Sequence, residues 1–502
     1  MSEKAQSRAA AKGGFSPKSA FRSAVLAVAI AVASAAYAKP NVVFILADDL
    51  GYGDVGWTWQ GRRPAGEARI LTPNLDRLAG EGTVLASHYC AAPVCAPSRA
   101  SILTGRLQLP GECSVRNNMF DHPILERETV ATVMKRGGYR TMAIGKWGVG
   151  GGGESGTPVS AHPLDRGFDS FYGFMDHMAG HTYYHYDGYV RGAYMGVWEN
   201  REKATEGAKG VYSTDLFVAR AKKEIGEAVA EHPGEPFFLY LAVNTVHGSG
   251  LCDDSLANTH PLHVPGREYP ADGVSWPLAP EPREARNTWI DPRYRNLENE
   301  NMRRYATAVS RLDDAIGDLM RHLEKLGVAK NTIVVFTSDN GPADEYGADT
   351  RFFRSAGPFD GLKRDVYEGG VRVPTFVWGV GGAAAKTDET PSISTDWMAT
   401  FAEIAGVEKP SGARHSVSLL PRWTGADGAE PSTIAMSYAG CWSNQPDFAE
   451  FAERKGGLVR GEQEMRREGN IVRLRAGGAD RPWRAYDVVA DPHQDLDLNS
   501  RQ

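Results

Sequence analysis

Cysteine is scarce in this chain, with five residues in 502. A count that low, and odd, excludes a fold framed by disulfides. Positive charge is not in excess either. The 56 Lys and Arg face 62 Asp and Glu, a formal net charge of −6, which is not the footprint of a general nucleic-acid binder. No internal repeat is present, so solenoids and propellers drop out. Charged residues interrupt the apolar runs too often for a multi-span membrane protein. What the chain does hold is apolar content, 42% hydrophobic and 10% aromatic, far above the disordered range. Its length suits one large domain with an appendage, or two to three domains, and either buries a sizeable core without staples.

The N-terminus reads as an address. Lys4, Arg8, Lys12, Lys18 and Arg22 form a basic leader, residues 24–33 are unbroken apolar, and Ala36-Tyr37-Ala38 is a small-x-small cleavage site. That is the order of a secretory signal peptide over residues 1–38. The alternative is an uncleaved anchor. The apolar stretch is short for a span, and Lys39-Pro40 begins a globular pattern at once, which favours cleavage after Ala38. No twin-arginine pair occurs, so the general export route is expected, with a periplasmic or secreted product and no membrane span after cleavage. The leader carries five Lys/Arg and one Glu, so its loss takes the net charge to −10. Export also means an oxidising compartment, where unpaired thiols need an explanation.

Residues 41–46 (NVVFIL) and 237–243 (FFLYLAV) are continuous apolar runs, as buried parallel strands require. Residues 139–144 and 332–336 read as further strands, and 83–89 as extended. Helices are expected after Thr72-Pro73, from Pro97 to Thr104, and over 129–136. The clearest helix spans 302–326, where Tyr305, Val309, Leu312, Ile316, Leu319, Leu323 and Leu326 step by four and three, with Gly327 just past the end. Strands alternate with helices, so the fold class is α/β with a large, mostly parallel sheet. The expected catalytic domain runs over 39–405, and a small C-terminal subdomain of short strands over 406–502. The segment 248–300 is a long Pro- and acid-rich loop.

In open α/β sheets ligands sit beyond the carboxyl ends of strands. Asp48 and Asp49 follow one strand, and Asp339 and Asn340 follow another. Three carboxylates and an amide are hard ligands suited to Ca²⁺ or Mg²⁺ rather than zinc. A single Asp there is more often a turn residue or cap, whereas two pairs on separate strands favour a metal. Cys95 precedes a helix whose N-terminus offers free N–H groups and a positive dipole end to an anion. Alone, such a cysteine is more often a small buried hydrophobe.

The run CAPSRASILTG resembles the sulfatase signature C-x-P-S-R-x-x-x-x-T-G. The resemblance covers nearly the whole mature chain: KPNVVFILADDLGYGD, TPNLDRLAGEG, Gly145-Lys146-Trp147, FFLYLAVNTVH, TSDNG, GLKRDVYEGGVRVP and the tail RAYDVVADPHQDLDLNS all have counterparts. It is closest in kind to the formylglycine-dependent type I enzymes, of arylsulfatase and N-acetylgalactosamine-6-sulfatase character. The resemblance implies an alkaline-phosphatase-like sandwich with a smaller C-terminal domain on an antiparallel sheet. It implies that a maturation enzyme oxidises Cys95 to formylglycine, whose hydrated aldehyde attacks the sulfur of a sulfate ester. Ca²⁺, with Mg²⁺ as the alternative, would be held by Asp48, Asp49, Asp339 and Asn340, with residue 95 adjoining. Arg99 would hold the diol or sulfate, Lys146 and Lys363 would bind sulfate oxygens, and His247 would protonate the leaving alcohol.

One position departs from the pattern. Many sulfatases read G-K-W-H where this chain has Gly148, and a glycine transfers no proton. His181 is the candidate substitute or sulfate contact, with His177 and His185 as rivals. Residues 183–198 are rich in tyrosine and, with 248–300, are the expected region of substrate selection. The implied substrate is a sulfated carbohydrate. The rivals are a phosphomonoester or phosphodiester hydrolase on the same fold, and a non-catalytic binder of sulfated glycans. With Cys95 modified, Cys90, Cys113, Cys252 and Cys441 remain, enough for two bridges in three connectivities.

Overall fold

The computed structural model describes residues 39–113, 115, 122–152, 159–177, 179–181, 183, 196–204, 211–248, 290–344, 350–380, 385–439 and 461–501. The expected leader, His185, the tyrosines at 184–194, Cys252, Cys441 and residues 249–289 of the loop 248–300 lie outside them.

Strand β1 (Asn41–Ala47) is buried along its whole length. A strand buried on both faces must feed two cores. Val43, Ile45 and Ala47 enter one apolar cluster, while Val42, Phe44 and Leu46 enter another. The remaining strands are β2 (Thr83–Leu85), β3 (His88–Tyr89), β4 (Arg140–Lys146), β5 (Ser170–Phe174), β6 (Val197–Glu199), β7 (Glu202–Lys203), β8 (Phe237–Ala242), β9 (Thr332–Ser338), β10 (Phe376–Gly379), β11 (Lys386–Asp388), β12 (Ser392–Ile393), β13 (Ile434–Tyr438), β14 (Gln463–Glu468), β15 (Ile471–Ala476) and β16 (Arg484–Asp487). The main sheet has the order β11-β2-β10-β9-β1-β8-β4-β5-β6-β7. Its centre, β9-β1-β8-β4-β5, is all parallel. A separate antiparallel sheet runs β13-β14-β15-β16. The buried side of that sheet shares a core with Tyr89, Leu107, Val366 and Tyr367. Pro40–Gln502 is one compact unit.

The helix Glu300–Lys325 covers one face of the main sheet. Six of its seven expected stripe residues, Tyr305 to Leu323, are buried, each stabilising by about 1.5–3 kcal/mol. Asn299 caps its start by accepting from the Asn301 N–H, and Gly327 follows its end in the left-handed region. Arg311 and Asp318 tie it to the helix Ser213–Glu231 through Asp215 and Lys222. That second helix was not expected from the sequence. Its buried side carries Asp215, Arg220, Lys222 and Glu224 among the apolar residues, so paired charges hide the stripe. The helices Cys95–Thr104, Val130–Arg136 and Trp397–Ala405 pack into the cluster on the other face. No helix among the described residues is long and apolar enough to cross a membrane.

Candidate active site

Four neighbouring parallel strands, β9, β1, β8 and β4, end at one edge of the sheet. Asp339 and Asn340 follow β9, Asp48 and Asp49 follow β1, His247 lies five residues past β8, and Lys146 is the last residue of β4. The helix Cys95–Thr104 points its N-terminus at the same place. Cys95 is its first residue, with Val94 as the extended N-cap, so the helix opens two residues before the Pro97 start expected from sequence. Proline is tolerated there because first-turn N–H groups have no intrahelical partner.

These side chains meet in one buried nest. The Cys95 thiol donates to Asp48 Oδ1 at 3.2 Å, and Asp49 Oδ1 lies 3.8 Å from the sulfur. Lys146 Nζ donates to Asp48 Oδ2 at 2.6 Å, and Lys363 Nζ donates to Asp49 Oδ2 at 2.8 Å. Lys363 also reaches His247 Nε2 at 3.0 Å. The His247 ring is fixed from behind, Nδ1 lying 2.7 Å from the Gly248 carbonyl. That contact makes Nδ1 the protonated nitrogen and leaves Nε2 as the acceptor facing the site. The Asp49 backbone stands at φ 59, a conformation Asp tolerates. Its N–H donates to Asp339 Oδ1 at 3.1 Å, and Asn340 Nδ2 donates to Asp49 Oδ1 at 2.7 Å.

Arg99 ties the carboxylates of the nest together. Its Nε and Nη2 donate to Asp339 Oδ2 at 3.0 and 2.8 Å, Nη2 lies 3.4 Å from Asp48, and Nη1 donates to the Lys146 carbonyl at 3.1 Å. The side chain is wholly buried, and all of these contacts are to the protein.

Electrostatics follow from burial and close charge. Burial alone would raise Asp48, but Lys146 and Arg99 outweigh it and hold the carboxyl well below its ordinary range. Burial and the neighbouring Asp48 push Asp339 up to about 7, against Arg99. Burial, then Asp48, pushes the Cys95 thiol well up. Burial, then the facing His247 and Lys146, pushes His181 well down.

The donor set fits a hard divalent cation. Asp48, Asp49, Cys95 and His247 each offer a ligand atom, all within 4.8 Å of one another. Asn340 Oδ1 is buried and has no hydrogen-bond partner, a costly state unless something accepts its lone pairs. Three oxygen donors, Asp48, Asp49 and Asn340, therefore face the nest. Asp339 adjoins them, with Oδ2 given to Arg99.

Among the histidine candidates, the His181 ring is stacked on His247 with centroids 3.9 Å apart at 17°. His177 meets His181 edge-on at 5.6 Å. Gly148 stands at φ 68, and a Cβ there would lie 3.1 Å from His177 Cβ, so the side chain missing at 148 is replaced in space by a different histidine-bearing segment. Gly180 permits this approach, because a Cβ on it would fall 2.5 Å from Lys146 Cδ. Asn244 is a residue that sequence reasoning missed. It donates to the Gly180 carbonyl at 3.1 Å and accepts from Ser213 Oγ at 2.7 Å. Tyr183 donates to the Asn244 and His247 carbonyls, both at 2.9 Å. Together they hold the loop that carries His247. The position of Asn244 two residues past β8 was the available signal. Cys90 and Cys113 are buried free thiols.

The sulfatase family profile matches residues 40–407. Mouse arylsulfatase J is 31% identical over 379 residues, covering 74% of this chain and 53% of that protein. Mouse N-acetylgalactosamine-6-sulfatase is 29% identical over 428 residues, covering 78% of this chain and 67% of that protein. The chain thus spans between half and two thirds of these relatives' length. The crystal structure of Ps i-CgsB in complex with k-i-k-neocarrahexaose superposes with a TM-score of 0.64 at 24% identity, covering 92% of this chain and 89% of that one, a likeness of fold. The profile covers most of the chain, and the chain belongs to the sulfatase family.

Proposed function

We propose that this protein is an exported hydrolase that removes sulfate from a sulfated carbohydrate. The observation that carries the reading is a meeting of segments. Cys95 at a helix N-terminus, two carboxylates, two lysines and a histidine converge in one buried nest from separate parts of the chain. The names of the relatives, an N-acetylgalactosamine-6-sulfatase among them, support a sugar sulfate as substrate. The catalytic machinery falls in residues 39–405, with 406–502 as the smaller C-terminal part.

The encoded thiol is a poor nucleophile, since burial and Asp48 keep it protonated. Its conversion to formylglycine by a maturation enzyme removes that penalty. Hydrated formylglycine would supply an oxygen nucleophile, and Asp48, Asp49, Asn340 and Asp339 would hold a Ca²⁺ or Mg²⁺ whose charge would polarise the sulfate. The chain's own residues do the rest. Lys146 and Lys363 donate to sulfate oxygens as compact point charges. Arg99 holds Asp339 and Asp48 in place. His247, held at Nδ1 by the Gly248 carbonyl, acts as the acid once Nε2 has taken up a proton, which it then passes to the leaving oxygen. His181 braces the flat of that ring and lines the sulfate pocket, the role left open by Gly148.

The test has two readings. The peptide bearing Cys95, from protein made with the maturation enzyme, is expected to have the mass of an aldehyde, and an unmodified thiol would count against the assignment. Paired sulfate and phosphate esters of one sugar should show faster sulfate cleavage. Faster phosphate release would establish the phosphoesterase alternative, and binding without any release would establish the glycan-binding one.

A further inference from the structure

A cavity of about 470 Å³ lies beside the nest's segments, and none of the residues placed in the nest lines it. Its volume lies within the usual range for small-molecule sites, about 300–1,000 Å³. Its walls combine Tyr52, Trp57 and Phe359 with the cation Arg62, the carboxylate Glu389 and the apolar Val489. Trp57 is 40% exposed and Val489 64%, so two of the few large exposed apolar side chains flank the same opening. The Trp57 ring is backed rather than loose, since a Cβ on Gly80 would stand 3.2 Å from Trp57 Cζ3. Arg62 is exposed and makes no ion pair among the described residues. The guanidinium of Arg372 lies over the rings of Phe359 and Tyr52, at 4.6 and 5.6 Å, and hydrogen bonds to Glu368, Ser87 and the Ala86 carbonyl hold it there.

The position of the cavity is as telling as its lining. Strands β2 and β11 run in the same sense as β1, because β10 is antiparallel to both β2 and β9. Ala86 after β2 and Glu389 after β11 therefore lie on the same carboxyl edge as Asp48. From β1 to β2 is three strand positions, about 14 Å across the sheet. Two walls of the cavity belong to segments that also supply the nest: Tyr52 follows Asp49 by three residues, and Phe359 precedes Lys363 by four.

We infer that this cavity is a subsite for remote sugar units of an anionic oligosaccharide whose sulfated end occupies the nest. An aromatic face offers a sugar ring apolar contact with polar edges around it. Arg62 supplies an unpaired cation for a sulfate or carboxylate on that ring, and Glu389 accepts from its hydroxyls. The inference rests on the sulfated-carbohydrate reading above and sharpens it: the substrate is an oligomer or polymer rather than a single sugar.

The test uses chondroitin sulfate and carrageenan oligosaccharides of two, four and six sugars, with a small aryl sulfate as reference, on the mature full-length protein. For the wild type, KM should fall with length. Trp57→Ala and, separately, the surface change Arg62→Gln should each raise KM for the hexasaccharide about tenfold relative to the aryl sulfate, with kcat little changed, and Trp57→Phe should restore most of it. Equal changes on long and short esters, or no length dependence in the wild type, would overturn the subsite. Binding of the same oligosaccharides to the Cys95→Ala protein separates the two ideas. Binding weakened by Trp57→Ala in a protein that never releases sulfate would keep the subsite and reject the sulfatase reading. No binding of any oligosaccharide would reject the subsite while leaving aryl sulfate turnover to decide the activity.

Discussion

Arg99 offers the sharpest test of how the nest is built. Replacing it with methionine keeps an unbranched side chain of similar length and removes only the fork of donors. Two donations to Asp339 are lost, with a third contact to Asp48 and one to the Lys146 carbonyl. Both carboxylates are fully buried, so neither recovers water in exchange. Breaking one side of a buried ion pair costs about 3–5 kcal/mol, chiefly from the charge left behind. We therefore expect Arg99→Met to lower the free energy of unfolding in EDTA by about 4 kcal/mol, read from urea transitions after reversibility is checked. Asp339→Asn, made alone and together with Arg99→Met, completes a double-mutant cycle. The coupling between the two sites should be at least about 2 kcal/mol, at the upper end for residues in one network. Added Ca²⁺ should restore less stability to the variant than to the wild type, because Asp339 is no longer held. A single-variant cost below about 1 kcal/mol, or coupling near zero, would refute the claim that Arg99 is the counter-ion of Asp48 and Asp339.

Three further outcomes follow from the geometry. Cys95→Ala should abolish sulfate release while leaving the thermal transition nearly unchanged, because a side chain at the helix start is removed without disturbing the ladder behind it; retained turnover would mean the nucleophile lies elsewhere. His247→Ala should slow a sugar sulfate by about 10²–10⁴-fold and an activated aryl sulfate far less, since a good leaving group needs no proton; equal losses on both would remove His247 from the role of acid. Asp313 accepts from Asn74 and Leu75 at the start of the helix Pro73–Glu81, and burial raises its carboxyl to about 7. Unfolded, that group titrates near 4, so the folded state holds the extra proton and stability falls as pH rises from about 4 to about 7. Asp313→Asn should flatten that part of the urea-midpoint profile, and an unchanged slope would show that the carboxyl is not titrating there.

Much of this was legible in the sequence for local reasons. After Asn41, the run VVFIL has no polar residue to turn outward, so it reads as a strand covered on both faces. The four- and three-residue steps from Tyr305 to Leu323 fix a helix and the face it buries. The string CAPSRASILTG points to the candidate site because it packs a cysteine, a helix start and a cation into a few adjacent positions. Other parts were hidden by long-range pairing. The helix Ser213–Glu231 buries Asp215 and Lys222 only because Arg311 and Asp318 sit on the neighbouring helix, and periodicity in one segment cannot register a partner nearly a hundred residues away. The spacing of Arg99, one helical turn from Cys95, was legible, but the protein partners of its guanidinium were not, because Asp339 follows a strand far away in the chain.

By itself, then, the sequence determined the family, the strand-end carboxylates, the cysteine and the lysines, because each is carried by a short contiguous pattern whose chemistry is local. Only the tertiary structure decided that Arg99 serves the carboxylates, that a histidine segment fills the space beside Gly148, and that Tyr52, Trp57, Phe359 and Val489 share one cavity. Those relations exist between segments that the sheet order brings together, and hydrogen bonds, ring stacking and close packing act over a few ångströms of space, without regard to separation along the chain.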